Sequence, residues 1–188
     1  MSLLPLCQWL AATPWSIALH ESLYAYLIVL TIHVVTVCLF VGTAVILDLR
    51  LLGVTMPRIP VSQVVGGLAP WSIAGFVVMV VSGSLLFYAN PVARYQNLFF
   101  RTKLVALALA GVNIWMFNHT VYRSVAEWDL DPVPPRGARR AAGLSLVLLA
   151  AAIMSGRLIA YNGYWFDCAS QPQPAIINVL EGCTTDAR

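Results

Sequence analysis

The sequence predicts an all-α fold: a four-helix transmembrane bundle with an interfacial N-terminal segment and a short periplasmic C-terminal tail. Three observations lead there. Of 188 residues, 60% are hydrophobic and only 10% charged, where a soluble domain carries about 25% charged residues. The charges are segregated, with no Asp, Glu, Lys or Arg from Ser22 to Leu47 or from Ile59 to Ala93. A helix rising 1.5 Å per residue crosses the hydrocarbon core with about 20 apolar residues, and four segments reach that length.

The spans fall at about 24–47, 71–89, 103–122 and 141–165 of a single domain. The first stops at Asp48-Leu49-Arg50. The second opens near Trp71, with Pro70 in a first turn that does not use its missing N–H, and ends around Asn90-Pro91. The third lies between Lys103 and Arg123, and the fourth runs from Ala141 to Trp165 with Arg157 inside it. Trp71, Phe87, Tyr88, Tyr122, Tyr161, Tyr164 and Trp165 stand at the expected span ends, where aromatic rings favour the interface.

Residues 2–19 are apolar but broken by Pro5 and Pro14. They are expected to lie along the interface instead of spanning. No Lys or Arg precedes this run, so it does not read as a cleavable signal. Arg50 and Arg58 follow the first span, and Arg123, Arg136, Arg139 and Arg140 follow the third, against Arg94, Arg101 and Lys103 after the second. That balance puts both termini in the periplasm of a bacterial inner-membrane protein. Cys168 and Cys183 in the tail then face an oxidising compartment, either paired, with Cys7 as a competitor, or as free thiols.

The net charge of +3 is too small and scattered to suggest a nucleic-acid partner. The expected partners are the lipid bilayer and copies of the chain or a larger membrane complex. Small residues such as Gly42, Gly75, Gly83, Gly111 and Gly156 let backbones approach one another. There is no Ser-His-Asp set, phosphate-cradling glycine loop or dinucleotide fingerprint, which argues against a hydrolase or nicotinamide enzyme.

Ionisable side chains inside a bilayer cost about 2.5–3.5 kcal/mol each, so each one needs a reason. His33 lies roughly 14 Å below the outer boundary at helical rise, and Asn113 and Met154 come to nearly the same depth. Lys103 stands at the outer mouth of the third span, Arg157 in the outer half of the fourth, and His119 one turn from the inner end of the third. Bland readings exist: Lys103 and Arg157 snorkel, His119 is interfacial, and Met154 is packing.

The reading that joins these residues is a b-type haem in the bundle core, serving electron transfer or a redox subunit. A neutral imidazole ligates the iron and cations pair with propionates. His33 is the expected ligand, with Lys103 and Arg157 near the propionates and Asn113 at ligand depth. For the opposite face His119 comes first and Met154 second, unless His33 ligates alone. Copper is the rival, because His33, His119, Met116, Met154 and Cys38 are ligand types it accepts, although no Met-x-x-x-Met or Cys-x-x-Cys is present. A cofactor-free accessory subunit is the third reading.

At these residues the chain resembles a known family. The run from Glu21 through IHVVTVCLFVGTAVILDLRLLG, the Pro70-Trp71 pair, FFRTKLVALALAGVN followed by His119, and SGRLIAYNGYW resemble an uncharacterised family of bacterial four-helix inner-membrane proteins. More distantly the layout is similar to the HemJ-type haem-binding oxidases and the CopD-type copper-resistance proteins. Those have a His in an early helix and a Lys opening a later helix that also bears a His. His33 and Lys103 fall on that pattern and His119 follows it loosely, while the rest of the HemJ-type signature is absent. The resemblance implies haem, with copper second.

Overall fold

The computed structural model describes residues 3–166 and 176–178. The expectation for Cys168 and Cys183 lies outside the described residues. Two short helices, α1 (Leu4–Ala11) and α2 (Pro14–Glu21), precede α3 (Leu23–Leu51) and α4 (Val61–Ala89). A turn of helix, α5 (Pro91–Tyr95), leads into α6 (Leu98–Thr120), and α7 (Val125–Trp128) into α8 (Arg136–Leu158), before α9 (Asn162–Trp165). Four helical stretches are long and apolar enough to cross a membrane: Leu23–Leu51, Val61–Ala89, Leu98–Trp128 and Arg136–Trp165. The all-α four-helix bundle is what the composition and spacing predict.

Helix starts follow local chemistry. The Ser22 hydroxyl accepts from the amide of Ala25 at 3.3 Å, and Asn97 Oδ1 accepts from the amide of Phe100 at 3.0 Å, so both α3 and α6 open on a side-chain cap. Several boundaries differ from expectation: α6 opens at Leu98 and α8 at Arg136, each five residues early, and two further differences involve polar residues or proline. The first helix does not stop at Asp48 but runs on to Leu51, burying Asp48 and Arg50. Arg50 reaches out of the helix to loop carbonyls and Asp48 finds a serine hydroxyl, so the polar pair does not end the helix. The second helix opens at Val61 and contains Pro70. Pro70 offers no N–H to the carbonyl of Gly66 one turn earlier, a defect that a transmembrane helix tolerates.

Antiparallel α3 and α4 form one hairpin and α6 and α8 a second, joined along α3 and α8. In the first hairpin a Cβ on Gly75 would stand 3.2 Å from the backbone nitrogen of Phe40, and the rings of Phe40 and Phe76 lie 5.5 Å apart. In the second, Asn113 Nδ2 donates to the carbonyl of Ala141 at 2.9 Å and Asn97 Nδ2 to that of Ile159 at 3.0 Å. Helices α4 and α6 approach each other where Phe87 stacks on Phe100.

Helices α1 and α2 pack across one end of the bundle. Thr13 Oγ1 and the Tyr88 hydroxyl lie 2.6 Å apart, Ser16 Oγ donates to the Tyr88 carbonyl at 2.8 Å, and the Leu3 amide donates to the Tyr95 hydroxyl at 3.3 Å. The start of α6 and the end of α8 share this N-terminal face. At the opposite end Arg50, 0% exposed, donates from Nε to the carbonyl of Ile59 at 2.9 Å and from Nη2 to that of Asp131 at 3.4 Å. It ties together the two connections on that face, above a core of Leu51, Val61, Trp128, Ala138 and Ala142.

Candidate functional site

The sharpest polar feature within the spans is the imidazole of His33. Nδ1 lies 3.1 Å from the carbonyl oxygen of Met79 and 3.0 Å from Ser82 Oγ. A carbonyl only accepts, and the Ser82 hydroxyl already donates to the carbonyl of Val78 at 2.7 Å. Both partners therefore need a proton on Nδ1. In the neutral ring that leaves the lone pair on Nε2. Gly83 makes room for the ring, since a Cβ there would stand 3.1 Å from Cε1.

Lys103 turns inward from α6, partly buried. A Cβ on Gly156 of α8 would lie 3.6 Å from Nζ, and the side chain lies on the same half of the bundle as His33. Each long helix thus brings one residue to this level: His33 from α3, Gly83 from α4, Lys103 from α6 and Gly156 from α8. Arg94 on α5 adds a second cation that acts on Lys103, and it donates from Nη2 to the Tyr26 hydroxyl at 3.1 Å. Sequence reasoning missed Arg94, which it counted only as loop charge.

The other sequence candidates are not brought to His33. His119 is exposed on the outer surface of α6. Its Nδ1 lies 3.0 Å from Arg123 Nη2, and its ring packs at 5.0 Å against Trp115. Met154 faces away from the bundle, 61% exposed. Arg157 lies outside as well, its guanidinium 5.4 Å from the centre of the Tyr161 ring with Nη2 3.3 Å from the Tyr161 hydroxyl. Asn113 faces inward but spends its amide on the α6–α8 contact. Among the described residues no three His, Cys, Asp or Glu side chains gather as a metal site would. Cys38 is an exposed free thiol, while Cys7 is buried and free; burial pushes the Cys7 thiol up.

No protein-family model, curated protein or solved structure matches this chain.

Nearer the Arg50 face, a cavity of about 500 Å³ separates α4 from α6. Asp48 lines it with Ser145 of α8, whose hydroxyl is hydrogen-bonded to the carboxylate. This is the second feature that the sequence reading missed. In sequence Asp48 and Arg50 read as a stop signal, but residues two apart point to nearly opposite sides of a helix. Arg50 therefore serves the loops while Asp48 faces the bundle.

Proposed function

We propose that the protein is a membrane-embedded b-type haem protein acting in electron transfer or as a redox subunit, with His33 as the axial ligand. The observation that carries this reading is the pair of contacts from Nδ1 to the Met79 carbonyl and to Ser82 Oγ, which together call for a proton on Nδ1. A metal-ligating histidine characteristically donates its other ring N–H to a backbone or side-chain acceptor, which sets the tautomer and orients the ring. Gly83 and Gly156 make room on the facing helices for the His33 ring and the Lys103 side chain. Lys103, supported by Arg94, supplies positive charge for propionates, in place of Arg157, which lies against Tyr161. His119 and Met154 face away, which leaves His33 as the ligand among the described residues. Bound haem would contribute one-electron chemistry; the chain's own part is to hold and orient the imidazole and to neutralise the propionates.

In this reading the Arg50 face, which gathers Arg58, Arg123, Arg136, Arg139 and Arg140, is cytoplasmic, and the N-terminal face is periplasmic across a bacterial inner membrane. Copper handling is the rival, and it has a weaker donor set because His33 and His119 point to different surroundings.

Protein purified from haem-replete cells, with an absorption spectrum and metal analysis, tests this. A Soret band that His33→Ala abolishes while the protein stays folded in the membrane is the expected result. Lys103→Ala should weaken haem retention without removing the ligand. A well-folded, colourless wild type overturns the reading, as does a His33→Ala variant with full haem and an unchanged spectrum. Copper without haem would turn it to the rival.

A further inference from the structure

The cavity between α4 and α6 is a site of a different kind from the one at His33. It runs along α3 from Phe40 to Leu51, about 16 Å at helical rise. Its walls are mostly apolar, with Phe40, Phe76 and Leu149 among them, and Ser72, Asn113 and Ser145 as sparse polar points. A volume of about 500 Å³ lies within the range of pockets for small organic ligands, about 300–1,000 Å³. Ile73 of α4 and Ile114 of α6 line it and are 63% and 47% exposed. The cavity is therefore reached sideways, from the apolar phase that surrounds the spans.

Asp48 gives this cavity its chemistry. The residue is 6% exposed. The Ser145 hydroxyl acts on the carboxylate, and Oδ2 is buried without a hydrogen-bond partner. Arg50 does not pair with it: its Nε and Nη2 donate to the carbonyls of Ile59 and Asp131, on the other side of the helix, and its buried Nη1 has no partner. A buried acceptor without a donor is costly, and a buried carboxylate without a counter-charge more so. A ligand that brings both a cationic N–H donor and an apolar body satisfies the carboxylate and the walls together.

We propose that the cavity binds a lipophilic amine, its ammonium on Asp48 and its hydrocarbon body between α4 and α6. This goes beyond the reading of His33 and does not depend on it. The amine comes either from a free amphiphile dissolved in the bilayer or from the aminoethyl headgroup of a phospholipid; the ion pair is the same.

The test uses the full-length protein in phosphatidylcholine nanodiscs and a dansyl fluorophore carrying an eight-carbon chain with a free terminal amine. Its N-acetylated twin has the same body without the charge. Wild type should bind the amine at least tenfold more tightly than the acetylated twin, and Asp48→Asn should abolish that preference. Gly111 lines the cavity, and a Cβ there meets nothing within 4 Å. Gly111→Leu should therefore fold normally and block both probes, which keeps the test decisive if Asp48→Asn misfolds. Displacement by phosphatidylethanolamine in the nanodisc identifies the lipid headgroup as the source, and its failure to displace identifies a free amine. Equal binding of the two probes, no saturable binding by wild type, or full amine preference in folded Asp48→Asn overturns the proposal. Undiminished binding in Gly111→Leu does so as well. A Soret band, or its absence, leaves these results untouched.

Discussion

The imidazole of His33 lies on the bare backbone of Gly83, with Cε1 3.1 Å and Nδ1 3.5 Å from the point where a Cβ would stand. At that separation a methyl group forces the ring to yield by a few tenths of an ångström, and a branched side chain forces it off Ser82 and Met79. Gly83→Val should therefore destabilise the protein by about 1–3 kcal/mol, as overpacking does, and Gly83→Ala by less. Thermal melts in detergent check the order, and equal midpoints for wild type and Gly83→Val would refute it.

Glycine at 75 is required for a different reason. The atom that an added Cβ would meet is the backbone nitrogen of Phe40, at 3.2 Å, and backbone cannot rotate aside. Gly75→Leu should separate α3 from α4 at a cost of about 1–3 kcal/mol. Gly42, in the same hairpin but facing open space, should accept Leu within about 0.5 kcal/mol. The contrast between the two variants is the measurement.

Arg50 should behave as a structural clamp on its face of the membrane. Replacing it by Met leaves the carbonyls of Ile59 and Asp131 without their charged donor, and hydrogen bonds to charged groups are worth about 1.5–3 kcal/mol. Arg50→Met should lower the melting midpoint and speed proteolysis in both connections, 52–60 and 129–135. Unchanged cleavage rates would show that the clamp does not hold the loops.

Acid should loosen the start of α4. Asp129 accepts from Ser62 Oγ at 2.6 Å and from the Ser62 amide at 2.7 Å, and these bonds hold its carboxyl below the ordinary value of 3.8. A folded value below the unfolded one means that the contribution is complete above the unfolded value. It is then lost as pH falls through the folded value. Wild type should lose part of its thermal stability on acidification below 3.8, and Asp129→Asn should lose less over the same interval. Parallel pH profiles would contradict the assignment. Asp129→Ala should cost about 1 kcal/mol at neutral pH, as loss of a helix cap does.

The number of spans was legible because a helix in lipid needs only length and apolar composition, and both are counted directly. Which way each side chain points was not. Helices solvated by hydrocarbon are apolar on all sides, so no polar face marks the exterior. His33 and His119 look alike in sequence, yet one is bonded to α4 and the other pairs with Arg123 at the surface. Lys103 and Arg157 both read as propionate partners or as snorkelling cations, and only Lys103 turns inward. Pro70 marked a helix start by its usual rule, but the apolar sequence on both sides of it continues the helix.

The gap between α4 and α6 makes the surrounding lipid part of the fold. The broad contacts run α4 to α3 to α8 to α6, and beside the cavity α4 and α6 leave a side on which acyl chains would pack in a bilayer. Chain order, lateral pressure and hydrocarbon thickness would then act directly on the distance between the two hairpins. A short-chain detergent and a stiff saturated bilayer would then hold the same polypeptide at different widths, and with it the cavity that Asp48 overlooks.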